Sequence, residues 1–251
     1  MKLIVVGASG FVGGQVIRHA LSKPEITSIV GLSRKPLESV PEAEGLATRF
    51  KNVIVQDYGV YPEDVMRELA GASACIWYYC MGLGGASING ALTSEDRTVA
   101  IKPYNGEEIP FEEIKRVCQD TTIAGLKAMH DAGLARPFRF IYMSGIFAER
   151  DQTKTPKAIP EYLLMRGATE NQILKYVSAH PGEMEACVVR PAVIYAPWKP
   201  LLHPEFAESM GIVHVDEVVA AMLQQAIHGI EKEPLLNDDL VRIGRRALAG
   251  E

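Results

Sequence analysis

A chain of 251 residues with 47% hydrophobic and 23% charged side chains carries enough apolar surface for a full core, which excludes disorder and collagen-like repeats. Its 26 Lys plus Arg against 31 Asp plus Glu leave a formal net charge of -5 and no basic block able to track a phosphate backbone, so nucleic acid is not an expected partner. The apolar run Leu3-Ile4-Val5-Val6 stops at Gly7, too short for a signal-peptide core, and no stretch approaches the ~20 apolar residues of a membrane span. No membrane association and a cytoplasmic location are expected.

Short β-branched runs alternate with longer stretches of helical period, the pattern of βαβ units around a parallel sheet. Strands are predicted near 2–6, 28–32, 52–56, 73–79, 138–143 and 185–190. Each is almost continuously apolar, as a strand covered on both faces requires. Helices are predicted near 11–22, 62–70, 111–132, 160–178, 216–229 and 237–248. Start signals fix several of them: Pro62 before Glu63 and Asp64, Pro110 before Phe111-Glu112-Glu113, Pro160 before Glu161, and Asn237 before Asp238-Asp239. No repeat or linker divides the chain, so residues 1–251 are read as one domain.

Two connections, 81–110 and 195–211, exceed the usual ~2 to 6 residues of a βα or αβ loop. Both follow strands at the expected carboxyl edge of the sheet, where open α/β folds place their ligands, and they are predicted to wall a substrate pocket. Surface decoration is the alternative for such insertions. The four cysteines, Cys75, Cys80, Cys118 and Cys187, form no CxxC pair and cluster with no histidine. Buried reduced thiols are expected, with neither zinc nor another metal.

The chemistry begins at the first strand-to-helix turn. Gly7-Ala8-Ser9-Gly10-Phe11-Val12-Gly13 is a GxxGxxG string between a buried strand and a helical run. Gly7 permits the tight turn, Gly10 admits a pyrophosphate close to the backbone, and Gly13 lets helix and strand pack closely. The first helical N–H groups and the helix dipole then face the phosphate. Gly7, Ser9, Gly10, Phe11, Val12 and Gly13 are therefore the candidate dinucleotide cradle, and the fold class is α/β, a Rossmann-type doubly wound parallel sheet with a small C-terminal substrate lobe. After the second strand the chain reads Ser33-Arg34-Lys35 with no acid before Glu38. A hydroxyl and two cations suit the 2'-phosphate of NADP, whereas NAD calls for a carboxylate on the ribose. Asp57, after the third strand, is placed to reach the adenine amino group.

Further segments, namely Tyr142-Met143-Ser144, Tyr162-xxx-Arg166-xxx-Glu170, Arg190-Pro191-Ala192-Val193-Ile194-Tyr195 with Pro197, and Val213-His214-Val215-Asp216-Glu217-Val218, together with GxxGxxG, carry a resemblance to the short-chain dehydrogenase/reductase superfamily. The chain resembles its compact extended or atypical members, such as the isoflavone-reductase-like proteins. It is shorter than the extended sugar-nucleotide epimerases, so a large carboxy-terminal sugar-nucleotide domain is not expected. The resemblance implies a catalytic unit of Ser, Tyr and a Lys four residues after the Tyr, here Ser144, Tyr162 and, in place of Lys, Arg166. In the family, helices at the places of 111–132 and 160–178 often pair subunits, so a homodimer is among the expectations.

Tyr162 and Arg166 are i and i+4 and share a helix face. A phenol with a reference pKa of about 10 needs a fixed cation to work near neutrality. Arg166 keeps the charge and can offer donors to ribose, but it cannot relay a proton as Lys can. Tyr195-Ala-Pro-Trp-Lys199 also spells YxxxK, but Pro197 and Pro200 exclude a helical pair, so it is assigned to a loop. His214 is read as structural. Within Trp77-Tyr78-Tyr79-Cys80-Met81, core packing is the main expectation, with alternate residues near nicotinamide. Trp198, His203 and Phe206 are pocket candidates, and Glu149-Arg150-Asp151 is read as a solvated charge run. The leading functional expectation is an NADP-dependent oxidoreductase acting on a carbonyl or hydroxyl of a small, largely apolar substrate. Alternatives on the same fold are a redox-neutral isomerase, cyclase or dehydratase, and a non-catalytic NADP(H)-sensing protein.

Overall fold

The computed structural model describes residues 1–37, 47–78, 109–199 and 211–250. Strands β1 (Lys2–Val6), β2 (Ser28–Ser33), β3 (Phe50–Ile54), β4 (Ala74–Trp77), β5 (Phe138–Met143), β6 (Met184–Arg190) and β9 (Leu235–Leu236) form one sheet in the order β3-β2-β1-β4-β5-β6-β9. Every pairing in it is parallel. The chain runs outward from β1 through β2 to β3, then returns to place β4 on the other side of β1. The order thus reverses between β1 and β4, with Val6 level with both Leu32 and Trp77. A crevice at the carboxyl ends of the strands opens at such a reversal.

Strand alternation divides the core. Leu3 and Val5 face α1 (Phe11–Leu21), α6 (Val215–His228) and α7 (Asn237–Ala249) in one apolar cluster. Ile4 and Val6 face a second cluster built with α2 (Glu63–Leu69), α4 (Thr121–Asp131) and α5 (Pro160–Ser178). All four side chains are 0% exposed, and each such burial contributes about 1.5–3 kcal/mol before ordering costs. The chain's C-terminal helices therefore complete the main core, and the smaller lobe among the described residues is the parallel pair β7 (Val193–Tyr195) and β8 (Ile212–His214).

Two details depart from the expected elements. The helix expected over 111–132 is broken: α3 (Phe111–Lys115) passes through a π-helical turn at Arg116–Asp120 before α4. Beside the turn, Thr121 and Thr122 donate their hydroxyls to the carbonyls of Val117 and Cys118 at 2.7 and 3.0 Å, a back-bonding that bends helices. Strands β7, β8 and β9 have no counterpart among the expected strands, because runs of three, three and two residues are too short to show a period. Helix α4 lies against β4 through Gly125, where a Cβ would come within 2.2 Å of the Trp77 indole.

Candidate active site

The glycine turn sits at the β1/β4 reversal. Gly7 has φ +82°, and a Cβ there would lie 1.9 Å from the Tyr78 carbonyl oxygen. A Cβ on Gly13 would lie 2.1 Å from the Gly7 carbonyl oxygen, so helix and turn approach as closely as only glycine allows. Gly10 N–H donates to the Gly7 carbonyl at 2.8 Å, and Ala8 N–H donates to Leu32 at 3.0 Å. Gly10 caps α1 with no side-chain hydrogen bond, and the first turn of α1 carries no acid. The N–H groups of Phe11 and Val12 therefore lead an uncapped positive helix end, the chemistry of an anion site. Ser9 is exposed beside them and Val12 is buried beneath.

At the end of β2, Ser33 is 1% exposed. Its hydroxyl donates to the Lys35 carbonyl at 2.7 Å and accepts from Asn52 Nδ2 at 2.7 Å. The hydroxyl thus holds the turn that presents Arg34 and Lys35, both exposed. Asn52, which also donates to the Gly31 carbonyl at 3.0 Å, is a brace that no sequence pattern marked. Asp57 accepts from Gly59 N–H at 2.8 Å and faces Arg116 at 3.5 Å.

Ser144 follows β5 and is tied to β6 by its N–H, which donates to Val189 at 2.8 Å. Its Oγ is buried, with no hydrogen-bond partner among the described residues. Tyr162 lies half-buried in the first turns of α5, packed on the apolar group of Ile114, Val117, Cys118 and Met165. One turn on, Arg166 is 3% exposed. Its Nη2 donates to the Met143 carbonyl at 2.8 Å and its guanidinium stands 5.1 Å from the centre of the Tyr142 ring. The cation is thus fixed against the end of β5, next to Ser144.

A further turn along α5, Glu170 is 0% exposed and accepts from Arg150 Nε at 2.6 Å and Arg190 Nε at 3.1 Å. Arg150 also binds Glu233, its Nη1 donating at 3.1 Å. This corrects the reading of Glu149-Arg150-Asp151 as a solvated run: Glu149 and Asp151 are half-buried and exposed, but Arg150 is the centre of a four-residue ionic network. Burial alone would lower the Arg150 pKa, and the hydrogen bonds to Glu233 and Glu170 carry it above its ordinary value instead. The sequence could not show this, because the partners lie 20 and 83 residues away.

The remaining candidates divide. Trp77 is 0% exposed and packs edge-on to Tyr58 at 6.2 Å, a core residue as expected. Tyr78 lays its ring against the glycine turn, 3.3 Å from a Cβ placed on Gly10. His214 caps α6, accepting from Asp216 N–H at 3.2 Å while Glu217 takes the His214 N–H, which bears out its structural reading. Trp198 is 56% and Phe147 43% exposed, and no sequence signal marks the second of these. The Tyr195-to-Lys199 string leaves the sheet as a turn, with Lys199 N–H donating to Ala196 at 2.9 Å. The expected wall 81–110 falls almost wholly outside the described residues, as do Tyr79, Cys80, Met81, His203 and Phe206. Cys75, Cys118 and Cys187 are buried. Among the described residues no cluster could hold a metal ion and no helix is long and apolar enough to cross a membrane.

No protein-family model and no curated protein matches the sequence. Solved structures do match in fold. A short-chain dehydrogenase from Burkholderia cenocepacia J2315 in complex with NADP is 15% identical at TM-score 0.63, covering 100% of this chain and 93% of that one. Vestitone reductase from alfalfa (Medicago sativa) is 14% identical at TM-score 0.64, over 94% and 76%. MoeE5 in complex with UDP-glucuronic acid and NAD is 16% identical at TM-score 0.63, over 94% and 75%. The chain has the doubly wound fold of these three structures.

Proposed function

We propose that the chain is an NADP-dependent oxidoreductase of the short-chain dehydrogenase/reductase superfamily, compact atypical type, acting on a carbonyl or hydroxyl of a small, largely apolar molecule. The observation that carries the reading is the glycine turn at the strand reversal. Its two positions closed to any Cβ, Gly7 and Gly13, and its uncapped helix end fit a dinucleotide pyrophosphate. Ser9, Gly10, Phe11 and Val12 complete the cradle. Ser33 shapes the turn from which Arg34 reaches the 2'-phosphate, and Asp57 stands on the adenine side. The fold relatives carry NAD in one case and NADP in another, so the preference for NADP rests on this chain's own cations.

When bound, NADP supplies or accepts the hydride. Ser144 Oγ, buried and without a partner among the described residues, donates to the substrate oxygen and fixes its orientation. Tyr162 holds the proton delivered to that oxygen as negative charge develops. Arg166, one turn away, biases the phenol toward its ionised form and keeps the end of β5 in place through Met143. Exposed Phe147 and Trp198 favour an apolar substrate. The guanidinium's bond to Met143 also favours a second reading: with the cation so held and unable to lose a proton, Tyr162 and Ser144 would serve redox-neutral isomerase, cyclase or dehydratase chemistry, or the site would sense NADP(H) without turnover. The protein is taken as cytoplasmic and homodimeric through α4 and α5, the latter tested by light scattering.

Calorimetric titration with NADPH and NADH tests the cofactor. Tighter NADPH binding is expected, and Arg34→Ala should weaken NADPH alone by about 10- to 150-fold. Equal or tighter NADH binding overturns the assignment. Against a panel of aldehydes, ketones and alcohols, Tyr162→Phe should lower turnover about 10²- to 10⁴-fold with nucleotide affinity unchanged. Wild-type rates in that variant refute the role of Tyr162, and product formed without NADPH consumption selects the redox-neutral reading.

A further inference from the structure

The proposed dinucleotide site, on which this inference rests, is approached by a second segment of chain: the non-helical YxxxK string Tyr195 to Lys199. Tyr195 ends β7 with its ring edge-on to His214 at 5.0 Å. Ala196 is 2% exposed and belongs to the same apolar cluster as Ala8, Val12 and Val16. From that anchored residue the chain doubles back. Lys199 N–H donates to the Ala196 carbonyl at 2.9 Å, the two residues form an antiparallel bridge, and Pro197 stiffens the turn between them. The turn delivers Lys199 Nζ to 4.2 Å from the centre of the Phe11 ring. Phe11 is the first residue of α1.

An ammonium over an aromatic face is held by the ring quadrupole, and its three N–H donors can turn toward an anionic oxygen beside the ring. The cation is stationed, from a distant part of the chain, at the end of α1 where Gly10 gives no side-chain cap and the first turn has no acid. We infer that Lys199 is a dinucleotide-binding residue that donates to the pyrophosphate, opposite the backbone donors of Phe11 and Val12. The pyrophosphate is preferred to the 2'-phosphate because Phe11 belongs to the turn between β1 and α1, whereas the 2'-phosphate is read at the end of β2 by Ser33-Arg34. The first residues of 195–211 then serve the cofactor as well as the substrate pocket.

The test titrates the full chain, as wild type, Lys199→Met and Lys199→Arg, with NADP⁺, NAD⁺ and 2'-AMP, which lacks the pyrophosphate. Lys199→Met should lose about 5- to 20-fold in affinity for both dinucleotides by the same factor, a charge-assisted contact discounted for solvent exposure. Its affinity for 2'-AMP and its melting temperature should not move, and the difference from wild type should shrink with salt. Lys199→Arg, which keeps charge and donors, should bind within a few-fold of wild type. Unchanged NAD⁺ affinity in Lys199→Met overturns the inference, and so does a loss confined to NADP⁺. A wild-type protein that binds neither dinucleotide defeats the underlying reading. Wild-type binding with an indifferent Lys199→Met defeats this inference alone.

Discussion

At Gly13 a single missing carbon decides whether a strand and a helix can meet. A Cβ there would press to 2.1 Å from the Gly7 carbonyl oxygen, whereas a Cβ on the adjacent Gly14 would have its nearest contact at 4.0 Å. Gly13→Ala should therefore abolish measurable dinucleotide binding in a calorimetric titration. Gly14→Ala, in open space within α1, should leave affinity intact and raise stability by about 0.5–1 kcal/mol, read by chemical denaturation. The cysteines give a second prediction at this scale. Burial pushes the Cys75 thiol well above its ordinary range, and burial followed by the Glu233 charge pushes Cys187 from 9.0 to about 12. A raised thiol pKa means less thiolate at any given pH, and the thiolate is the nucleophile. Iodoacetamide at pH 8 to 9 should leave Cys75 and Cys187 unmodified in the folded protein and label both once it is denatured, with peptide mass spectrometry as the readout. Rapid labelling of native Cys187 would show that its thiol is not held protonated.

Helix α5 carries the candidate residues Tyr162 and Arg166 and is a structural keystone as well. It begins at Pro160, just after Ile159 at φ 37°, a left-handed conformation that costs a β-branched residue about 1–3 kcal/mol. The loop that leads into this start is pinned at its middle. Glu149 N–H donates to Leu163 at 3.0 Å and Asn171 Nδ2 to Arg150 at 2.8 Å, and a Cβ on Gly167 would fall 1.7 Å from the Glu149 carbonyl oxygen. Glu170 then anchors Arg150 and Arg190 to the same helix. Glu170→Gln leaves two guanidiniums facing a neutral amide in a buried place, which should cost about 3–5 kcal/mol. For a domain of this size that is a fall in Tm of about 6–20 °C by calorimetry. A shift under 2 °C would mean the network adds no stability. Because the network holds the β5–α5 loop that starts at Ser144, turnover should fall in the same variant while NADP(H) affinity holds.

For the molecule as a whole, the two clusters on opposite faces of one sheet share every central strand, so the glycine turn and helix α5 belong to a single folding unit. A ligand that binds only the folded state stabilises it by about 2.7 kcal/mol when present at 100 times its Kd. NADP(H) at that excess should raise Tm by about 5–11 °C, and NAD(H) at the same concentration should raise it less, by differential scanning fluorimetry. Equal shifts at every concentration would remove the preference for NADP. A single transition is expected with and without the nucleotide, since both halves of the proposed site are built on the strands that the two clusters share.

Patterns that span only a few residues are legible in the amino-acid sequence by itself. The six longer strands, the placement of α1 and α5, the glycine turn, Ser144 at a strand end and Tyr162 with Arg166 on one helix face all follow from periodicity, caps and spacing. These are contacts between near neighbours, and local sequence determines them. The π-helical turn at Arg116–Asp120 leaves no such mark, because both flanks share one helical period and only the back-bonded Thr121 and Thr122 with inward packing favour the extra residue. Strands β7 to β9 leave none either, because their partners, not their own residues, make them strands. Asn52 as brace, Arg150 as centre of an ionic network and Lys199 over Phe11 join residues from 19 to 188 positions apart. In each case a polar or charged side chain acquires its role from what the sheet order carries to it, and that order depends on all the strands at once.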